Sequence, residues 1–177
     1  MLVKNSPLFL VGPMGAGKTT IGRKLAQIVD YEFVDMDQLL EERTGVTVSH
    51  IFEIEGEEGF RCRETRLLEE LSTAADRVVS TGGGIVTQEE SRDILASQGT
   101  VVYLQADFDI LWARLRNCQT RPLLQTDNPA ETLKTLIQNR APLYESVADL
   151  VFPVSNDSSH KAARRLLNRL DELQEEA

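Results

Sequence analysis

The stretch Gly12-Pro13-Met14-Gly15-Ala16-Gly17-Lys18-Thr19 matches the G-x-x-x-x-G-K-T pattern of a phosphate-binding loop. A short apolar run, Leu8–Val11, precedes it, and apolar residues at helical spacing follow over residues 20–29. The order is therefore strand, glycine-rich loop and helix, which is the context that polyphosphate binding requires. We interpret the stretch as a nucleotide-binding loop; the alternative is a tight glycine turn that happens to fit the pattern.

The expected roles of the loop residues follow from what a polyphosphate needs. Glycines let backbone N–H groups approach closely, and the helix N-terminus adds further N–H donors. Lys18 would reach the β- and γ-phosphates of ATP, and the Thr19 hydroxyl would hold Mg²⁺. The nucleotide-binding residues expected here are Gly15, Ala16, Gly17, Lys18, Thr19 and Thr20.

Composition limits the kind of protein. The chain has 177 residues, 41% hydrophobic and 27% charged, which predicts one globular domain over residues 1–177. A net charge of -9 disfavours nucleic acid as a partner, because its phosphates would be repelled. We expect no signal peptide and no membrane association, since no long apolar run is present. Cys62 and Cys118 lack metal-site spacing, so we expect reduced thiols in a cytoplasmic protein, and a monomer.

Five candidate strands alternate with helical patterns along the chain. This alternation predicts an α/β fold with a mostly parallel sheet that is buried on both faces. Ligands of such sheets lie at the carboxyl ends of the strands, so candidate site residues should follow each strand. The candidate strands are Leu8–Val11, Glu32–Asp35, Arg77–Ser80, 100–104 and 149–154.

Two acids, Asp35 and Asp37, follow the second candidate strand. One could serve Mg²⁺, which prefers oxygen ligands, and the other could orient or deprotonate an acceptor hydroxyl. The alternative is helix capping, because a helix pattern begins at once and Asp is a favoured N-cap residue. The third strand, Arg77–Ser80, lacks the terminal Asp of a usual Walker B strand, which favours Asp35 as the acid nearest the metal.

Three glycines, Gly82, Gly83 and Gly84, follow the third strand. Such a run is costly to order, and it makes sense where a ligand approaches the backbone closely; a simple loop bend is the alternative. Upstream, a predicted helix from about 57 to 71 carries interspersed arginines and glutamates. Most of these are interpreted as solvated helix charges, Glu64 among them, and the local sequence does not show which arginine faces the cleft.

The segment 117–129 is polar and contains Arg121. A lid carrying an arginine would suit phosphoryl transfer, and a mobile surface loop is the alternative. A helix is predicted over 130–139, and Pro142 should disturb it near Arg140. A lone arginine at that position is more often a surface charge.

Six motifs taken in order resemble the shikimate kinases: G-P-M-G-A-G-K-T, F-V-D-M-D, G-E-E-G-F-R, T-G-G-G, R-P-L-L and R-A-P-L-Y. The resemblance runs from about Leu8 to Val154. It implies a P-loop NTPase-like three-layer α/β sandwich with a five-stranded parallel sheet, similar to nucleoside-monophosphate kinases. It also implies a substrate-binding region at about 36–63, a lid at about 117–129, and Mg²⁺-dependent transfer of the ATP γ-phosphate to the 3-hydroxyl of shikimate in aromatic amino-acid biosynthesis.

The resemblance also assigns roles by position. Arg61 and Arg140 would clamp the shikimate carboxylate, and Asp37 would hold the reacting hydroxyl. Thr19 and Asp35 would hold Mg²⁺. Arg121 would reach the phosphates from the lid, while Arg114 and the region around Ser158 would border the adenine. The implied catalytic residues are Lys18, Asp37 and Arg121, and the implied shikimate-binding residues are Asp37, Arg61, Gly82, Gly83, Gly84 and Arg140.

Two other functions stay open at this point. One is a kinase of another small hydroxylated acid, such as gluconate. The other is a nucleotide-sensing module that binds ATP without transferring its phosphate.

Overall fold

Five parallel strands form one sheet in the computed structural model, which describes residues 6–118 and 122–175. In chain order they are β1 (Leu8–Val11), β2 (Glu32–Asp35), β3 (Arg77–Ser80), β4 (Thr100–Gln105) and β5 (Leu150–Pro153). Their order across the sheet is β2-β3-β1-β4-β5, with every neighbouring pair parallel. The predicted strands and the parallel sheet are confirmed, with ends that shift by one residue at most.

Helices cover both faces of the sheet. Alternate residues of β1 point to opposite faces, so Leu8 and Leu10 enter one core cluster and Phe9 and Val11 enter the other. This is the predicted three-layer sandwich. The helices are α1 (Lys18–Val29), α2 (Met36–Thr44), α3 (Val48–Ser72), α4 (Glu89–Gln98), α5 (Phe108–Leu115), α6 (Pro129–Val147) and α7 (Ser159–Glu175), with 3₁₀ turns at Ile85–Thr87 and Pro122–Leu124.

Local sequence signals set several helix ends. Helix α2 ends at Gly45, whose φ of 71° lies in the left-handed region that glycine tolerates. Helix α3 is interrupted at Gly56, with φ 70° and ψ -177°, so it consists of two helical segments joined at a kink, and the second segment contains the helix predicted from about 57 to 71. The second of these helices carries the basic and acidic residues of the G-E-E-G-F-R region into the site.

Helix α6 corrects one expectation. It runs to Val147 instead of ending near Arg140, and Pro142 lies inside it. Proline removes one hydrogen bond to the preceding turn, but Pro142 is exposed, so the carbonyl that loses its partner can bond water. The opposite face of α6 is buried through Leu133, Tyr144 and Val147, which stabilises the continuous helix and places Arg140 one turn before Tyr144.

Within residues 6–118 and 122–175, no helix combines the length and the apolar character that crossing a bilayer demands.

Candidate active site

The phosphate loop borders a cavity of about 410 Å³ at the carboxyl ends of the strands. Gly12, Gly15 and Gly17 have φ values of 142°, 80° and 98°, a region that other residues rarely adopt. At Gly12 a Cβ atom would also lie 2.6 Å from the carbonyl oxygen of Leu104. The loop therefore needs these glycines for its own backbone path. Among the cavity residues are Met14, Lys18, Thr19, Asp35, Ser80 and Arg114.

Lys18 lies across the loop with its side chain buried. Its Nζ donates to the carbonyl oxygens of Gly12 at 2.8 Å and Pro13 at 2.9 Å. A buried ammonium group needs such acceptors, because desolvation of an unpaired charge is costly. The charge is thereby held at the first turn of α1, where the predicted phosphate contacts converge.

Three oxygen-bearing side chains meet beside Lys18. The Thr19 hydroxyl donates to Asp35 Oδ2 at 2.6 Å and lies 3.3 Å from Ser80 Oγ. Asp35 Oδ1 accepts the Gln38 N–H at 3.3 Å and so caps α2. Capping and metal binding are therefore compatible, because each uses a different carboxylate oxygen. Ser80 is a further residue of this group that the sequence motifs do not indicate, although it ends β3 where a Walker B acid would stand.

These residues fit a magnesium ion bound together with nucleotide phosphates. Mg²⁺ takes hard oxygen ligands, commonly one or two from protein and the rest from phosphate and water. The described residues contain no cluster of three or more His, Cys, Asp or Glu side chains arranged for a metal. A site made by Thr19 and Asp35 would accordingly rely on the phosphates for its remaining ligands.

A second, smaller cavity of about 70 Å³ adjoins the first. Met14, Asp37 and Gly83 line both cavities, so the two meet at these residues. The small cavity combines charged and aromatic groups at close range. Its other members include Phe52, Phe60, Arg61, Glu64, Gly82 and Leu123.

Arg61 is the arginine of α3 that faces this cavity, and only 4% of its side chain is exposed. It bonds to Glu64 at 2.5 Å and to the half-exposed Glu57 at 3.2 Å. Its guanidinium lies 5.1 Å from the ring centroid of Phe60 and 6.0 Å from that of Phe52. Burial alone would lower the pKa of Arg61, but the two glutamates raise it above its usual value. The group is therefore a fixed, permanent cation.

Glu64 is the main site residue that the sequence interpretation missed. Most charges of this helix are expected to be solvated, yet only 1% of the Glu64 side chain is exposed and its Oε1 has no hydrogen-bond partner. Burial raises the pKa of the Glu64 carboxyl to about 7, against the opposing effect of Arg61, and nearby Asp37 raises it further. The spacing of three residues from Arg61 was the available signal, but solvated pairs on the same helix share it.

The sequence suggests that a ligand approaches the backbone of the glycine triplet, but the structure gives a different reason for these glycines. A Cβ atom at Gly82 would overlap the Glu64 carboxylate, and one at Gly84 would overlap the Arg61 guanidinium. At Gly83 a Cβ atom would lie 3.3 Å from the backbone nitrogen of Met14. The close approach that excludes side chains here thus comes from the protein's own residues, which pack against the loop from α3 and the phosphate loop.

Arg140 reaches the same loop from α6. It is buried, and its guanidinium donates to the carbonyl oxygen of Gly83 at 3.2 Å. The hydroxyl of Tyr144 donates to that same oxygen. The Arg61 guanidinium packs against Gly84 and Arg140 bonds to Gly83, so the two cations reach the same loop. The structure therefore brings Asp37, Arg61, the glycine triplet and Arg140 together beside the phosphate loop.

Arg114 lies at the other end of the large cavity. Its guanidinium donates to Gly15 O at 2.7 Å and to Ser155 O at 3.5 Å, and so joins the phosphate loop to the turn after β5. Ser158 Oγ accepts the Lys161 N–H at 3.4 Å and acts as a cap for α7. Its neighbour Asp157 lines the cavity, and hydrogen bonds led by Ser155 lower the pKa of its carboxyl to about 2.

The predicted lid is only partly described. Arg121 lies outside the described residues, as do 119 and 120. Within the rest of the segment, Leu123 lines the small cavity and Leu124 is buried in the core. This end of the segment thus borders the small cavity.

The sheet order, the glycine loop between β1 and α1 and the acid after β2 define a kinase of the P-loop class. Within that class, the family model described as shikimate kinase matches residues 14–171. This chain belongs to the shikimate kinase family.

Individual relatives agree over nearly the whole chain. The shikimate kinase of Vibrio parahaemolyticus is 49% identical over 165 residues, covering 93% of this chain and 96% of that protein. The shikimate kinase of Actinobacillus pleuropneumoniae serotype 5b is 46% identical over 167 residues, covering 94% and 96%. Shikimate kinase from Acinetobacter baumannii, solved in complex with shikimate, superimposes with a TM-score of 0.92 at 42% identity, covering 94% of this chain and 93% of that one.

A more distant structure bears on the gluconate alternative. A gluconokinase from Sinorhizobium meliloti has a TM-score of 0.62 at 15% identity. This likeness extends to the fold alone, so it gives the gluconate alternative no support.

Proposed function

We propose that this chain transfers the γ-phosphate of ATP to the 3-hydroxyl of shikimate, a step of aromatic amino-acid biosynthesis. The observation that carries the proposal is the junction of the two cavities at Met14, Asp37 and Gly83. Phosphoryl transfer requires donor and acceptor oxygens in line in one site. The large cavity would hold the nucleotide, the small cavity the acceptor, and the transferred group would pass between them.

On the nucleotide side, the loop residues Gly15, Ala16, Gly17 and Thr20 offer N–H groups to the phosphates at the start of α1. Lys18 supplies positive charge beside the transferred group, and Arg121 would add a second cation from the lid. Thr19 and Asp35 would hold Mg²⁺, which when bound neutralises charge on the phosphate oxygens. Arg114 would border the adenine, where it already joins Gly15 to Ser155.

On the acceptor side, Arg61 and Arg140 clamp the carboxylate of shikimate, because planar guanidinium groups pair with carboxylates through two parallel hydrogen bonds. Arg61 keeps its bond to the buried Glu64 and exchanges its contact with the exposed Glu57 for the substrate. Gly82, Gly83 and Gly84 would border the acceptor, and the missing side chains at Gly82 and Gly84 leave room for Glu64 and Arg61 beside it. The substrate region is the predicted segment 36–63 together with this loop.

Asp37 orients the 3-hydroxyl at the junction. A new bond forms between that oxygen and the γ-phosphorus while the bond from the γ-phosphorus to the β,γ-bridging oxygen breaks. The hydroxyl proton leaves towards the Asp37 carboxylate. Little proton removal is needed beforehand in a loose transition state, so positioning and charge neutralisation carry most of the catalysis. Segment 117–129 would close over the site and exclude water.

The proposal extends to the domain organisation, oligomeric state, cellular location and partners of the enzyme. The enzyme would act as one domain and as a monomer in the cytoplasm, without nucleic acid or membrane as a partner. Among the described residues, the large exposed hydrophobic side chains stand at separate positions, as is usual for monomers. They are Ile28, Val46, Ile54 and Val151.

The test is shikimate-dependent formation of ADP by the pure, folded protein, with and without Mg²⁺. We expect turnover with shikimate and a much lower kcat/KM with gluconate. Binding of ATP without turnover of either acid would instead support the nucleotide-sensing alternative. Turnover of gluconate in preference to shikimate would overturn the acceptor assignment while leaving the kinase class intact.

A further inference from the structure

Tyr144 makes a contact for which the motifs gave no role. Its side chain is 1% exposed, and its hydroxyl donates to the carbonyl oxygen of Gly83. The ring stacks on Tyr103, with centroids 5.0 Å apart and an interplanar angle of 26°. Burial raises the pKa of Tyr144, so the hydroxyl keeps its proton and stays a donor at neutral pH. The donor is therefore fixed in place beside the acceptor cavity.

The same carbonyl oxygen also accepts from Arg140, at 3.2 Å. Arg140 and Tyr144 are four residues apart on α6 and project from the same face of the helix. Arg140 also lies close enough to the Tyr144 hydroxyl to lower its pKa, against the larger effect of burial. Two donors on one helix thus share one acceptor, and only one of them, Arg140, has a proposed role with substrate.

Sharing an acceptor has a consequence when Arg140 binds a carboxylate. A partly buried carbonyl that loses its only donor is left unsatisfied. The cost is then the free energy of removing that carbonyl from water without a replacement hydrogen bond. The peptide after Gly83 lies between two glycines, where side chains impose no preference on the backbone. With Tyr144 in place, the Gly83 carbonyl keeps a partner and the loop keeps its orientation after Arg140 turns away.

We propose that Tyr144 is a positioning residue of the acceptor site, which holds the Gly83 carbonyl and so releases Arg140 to the carboxylate of the acceptor. This inference rests on the proposed function, and it adds a residue that contacts neither substrate. Tyr144 acts on the acceptor carboxylate through Arg140 and through the glycine loop.

The test uses Tyr144→Phe, which removes the hydroxyl and keeps the ring stacked on Tyr103. We expect the KM for shikimate to rise by about 5- to 30-fold, as for one lost hydrogen bond beside a buried polar group, while the KM for ATP stays within about twofold. The matched control is Tyr103→Phe, which removes a hydroxyl from the neighbouring buried ring without touching Gly83. Its KM for shikimate should stay within about twofold of the parent value.

A second measurement separates positioning from a general structural effect. The kcat/KM of each variant is compared for shikimate and for its methyl ester, which lacks the carboxylate charge. Tyr144→Phe should lower the ratio of acid to ester turnover by about the same 5- to 30-fold. This ratio does not depend on the fraction of folded enzyme, so a destabilised preparation is still informative.

Three outcomes can be told apart. A selective loss with the acid supports the proposal. An equal loss with acid and ester, or no loss with either, overturns it while the parent enzyme still turns shikimate over. Absence of turnover in the parent enzyme would instead overturn the proposed function itself.

Discussion

Arg61 and Glu64 form an ion pair of 2.5 Å in which 4% and 1% of the side chains are exposed, and one oxygen of Glu64 has no hydrogen-bond partner. A buried pair of this kind adds little net stability, because desolvation of both charges offsets their attraction. Its effect here is geometric. Glu64 fixes the position of the Arg61 guanidinium, and the crowding of Glu64 against Gly82 fixes the glycine loop.

Glu64 should make the stability of the protein depend on pH. Its pKa is raised from 4.5 to about 7 by burial, with Arg61 and Arg140 opposing and Asp37 reinforcing the shift. Between these values the folded protein holds a proton that the unfolded chain releases. The free energy of unfolding should therefore fall as pH rises from about 4.5 to about 7, by about 2–4 kcal/mol, and then level off with respect to this group.

Urea unfolding at several pH values between 5 and 8 measures this effect. Glu64→Gln should remove the contribution, so the difference between parent and variant isolates it from other titrating groups. Glu58→Gln, at an exposed position on the same helix, is the matched control and should keep the parent slope. If the unfolding free energy of Glu64→Gln depended on pH as that of the parent does, the Glu64 carboxyl would have the same pKa in the folded and the unfolded protein.

Arg140 should contribute mainly to acceptor binding. Arg140→Ala removes a buried cation from the proposed carboxylate clamp, and we expect shikimate binding to weaken by about 2–5 kcal/mol. The KM for ATP should change little, because the proposed phosphate contacts lie in the larger cavity beside the phosphate loop. Titration calorimetry with shikimate measures the loss, and Arg66→Ala, an exposed arginine of α3, serves as the control. Unchanged shikimate affinity in Arg140→Ala would remove this residue from the clamp.

The elements and the phosphate loop were predictable because their signals are local. The strand Leu8–Val11, the glycines of the loop and the helix stop at Gly45 each depend on a few consecutive residues. Asp35 shows that two rival interpretations of one residue can be compatible. Helix capping and metal binding were rival interpretations, but the carboxylate caps Gln38 with one oxygen and bonds Thr19 with the other.

The remaining features depend on tertiary packing. Glu64 has the same spacing and neighbours as solvated helix glutamates, and only its burial against Gly82 distinguishes it. The continuation of α6 past Pro142 depends on which face of the helix is packed. The requirement for glycine at 82 and 84 was anticipated, but its cause, the approach of Glu64 and Arg61, involves residues about twenty positions away.

Asp35 should set the magnesium requirement. Asp35→Asn keeps an N-cap side chain for α2, so the free energy of unfolding should change little. It removes the charge beside Thr19, and we expect the Mg²⁺ concentration for half-maximal activity to rise about tenfold or more. Initial rates over a range of Mg²⁺ at saturating ATP measure this. Asp30→Asn, an exposed acid at the end of α1, is the control. An Mg²⁺ dependence identical to that of the parent would exclude Asp35 from the metal site.

Asp37 should act on the rate of transfer. It lies in the first turn of α2 and lines both cavities, where the acceptor hydroxyl and the γ-phosphate would meet. Asp37→Asn keeps the size of the side chain but removes a charge that can accept the hydroxyl proton, so kcat should fall by about 100-fold or more. The affinity for ATP should stay near the parent value. Rapid-quench measurement of a single turnover shows whether the loss lies in the chemical step. A near-normal single-turnover rate would mean that Asp37 neither orients the hydroxyl nor receives its proton, and the transfer would then depend on Lys18, the metal and the arginines alone.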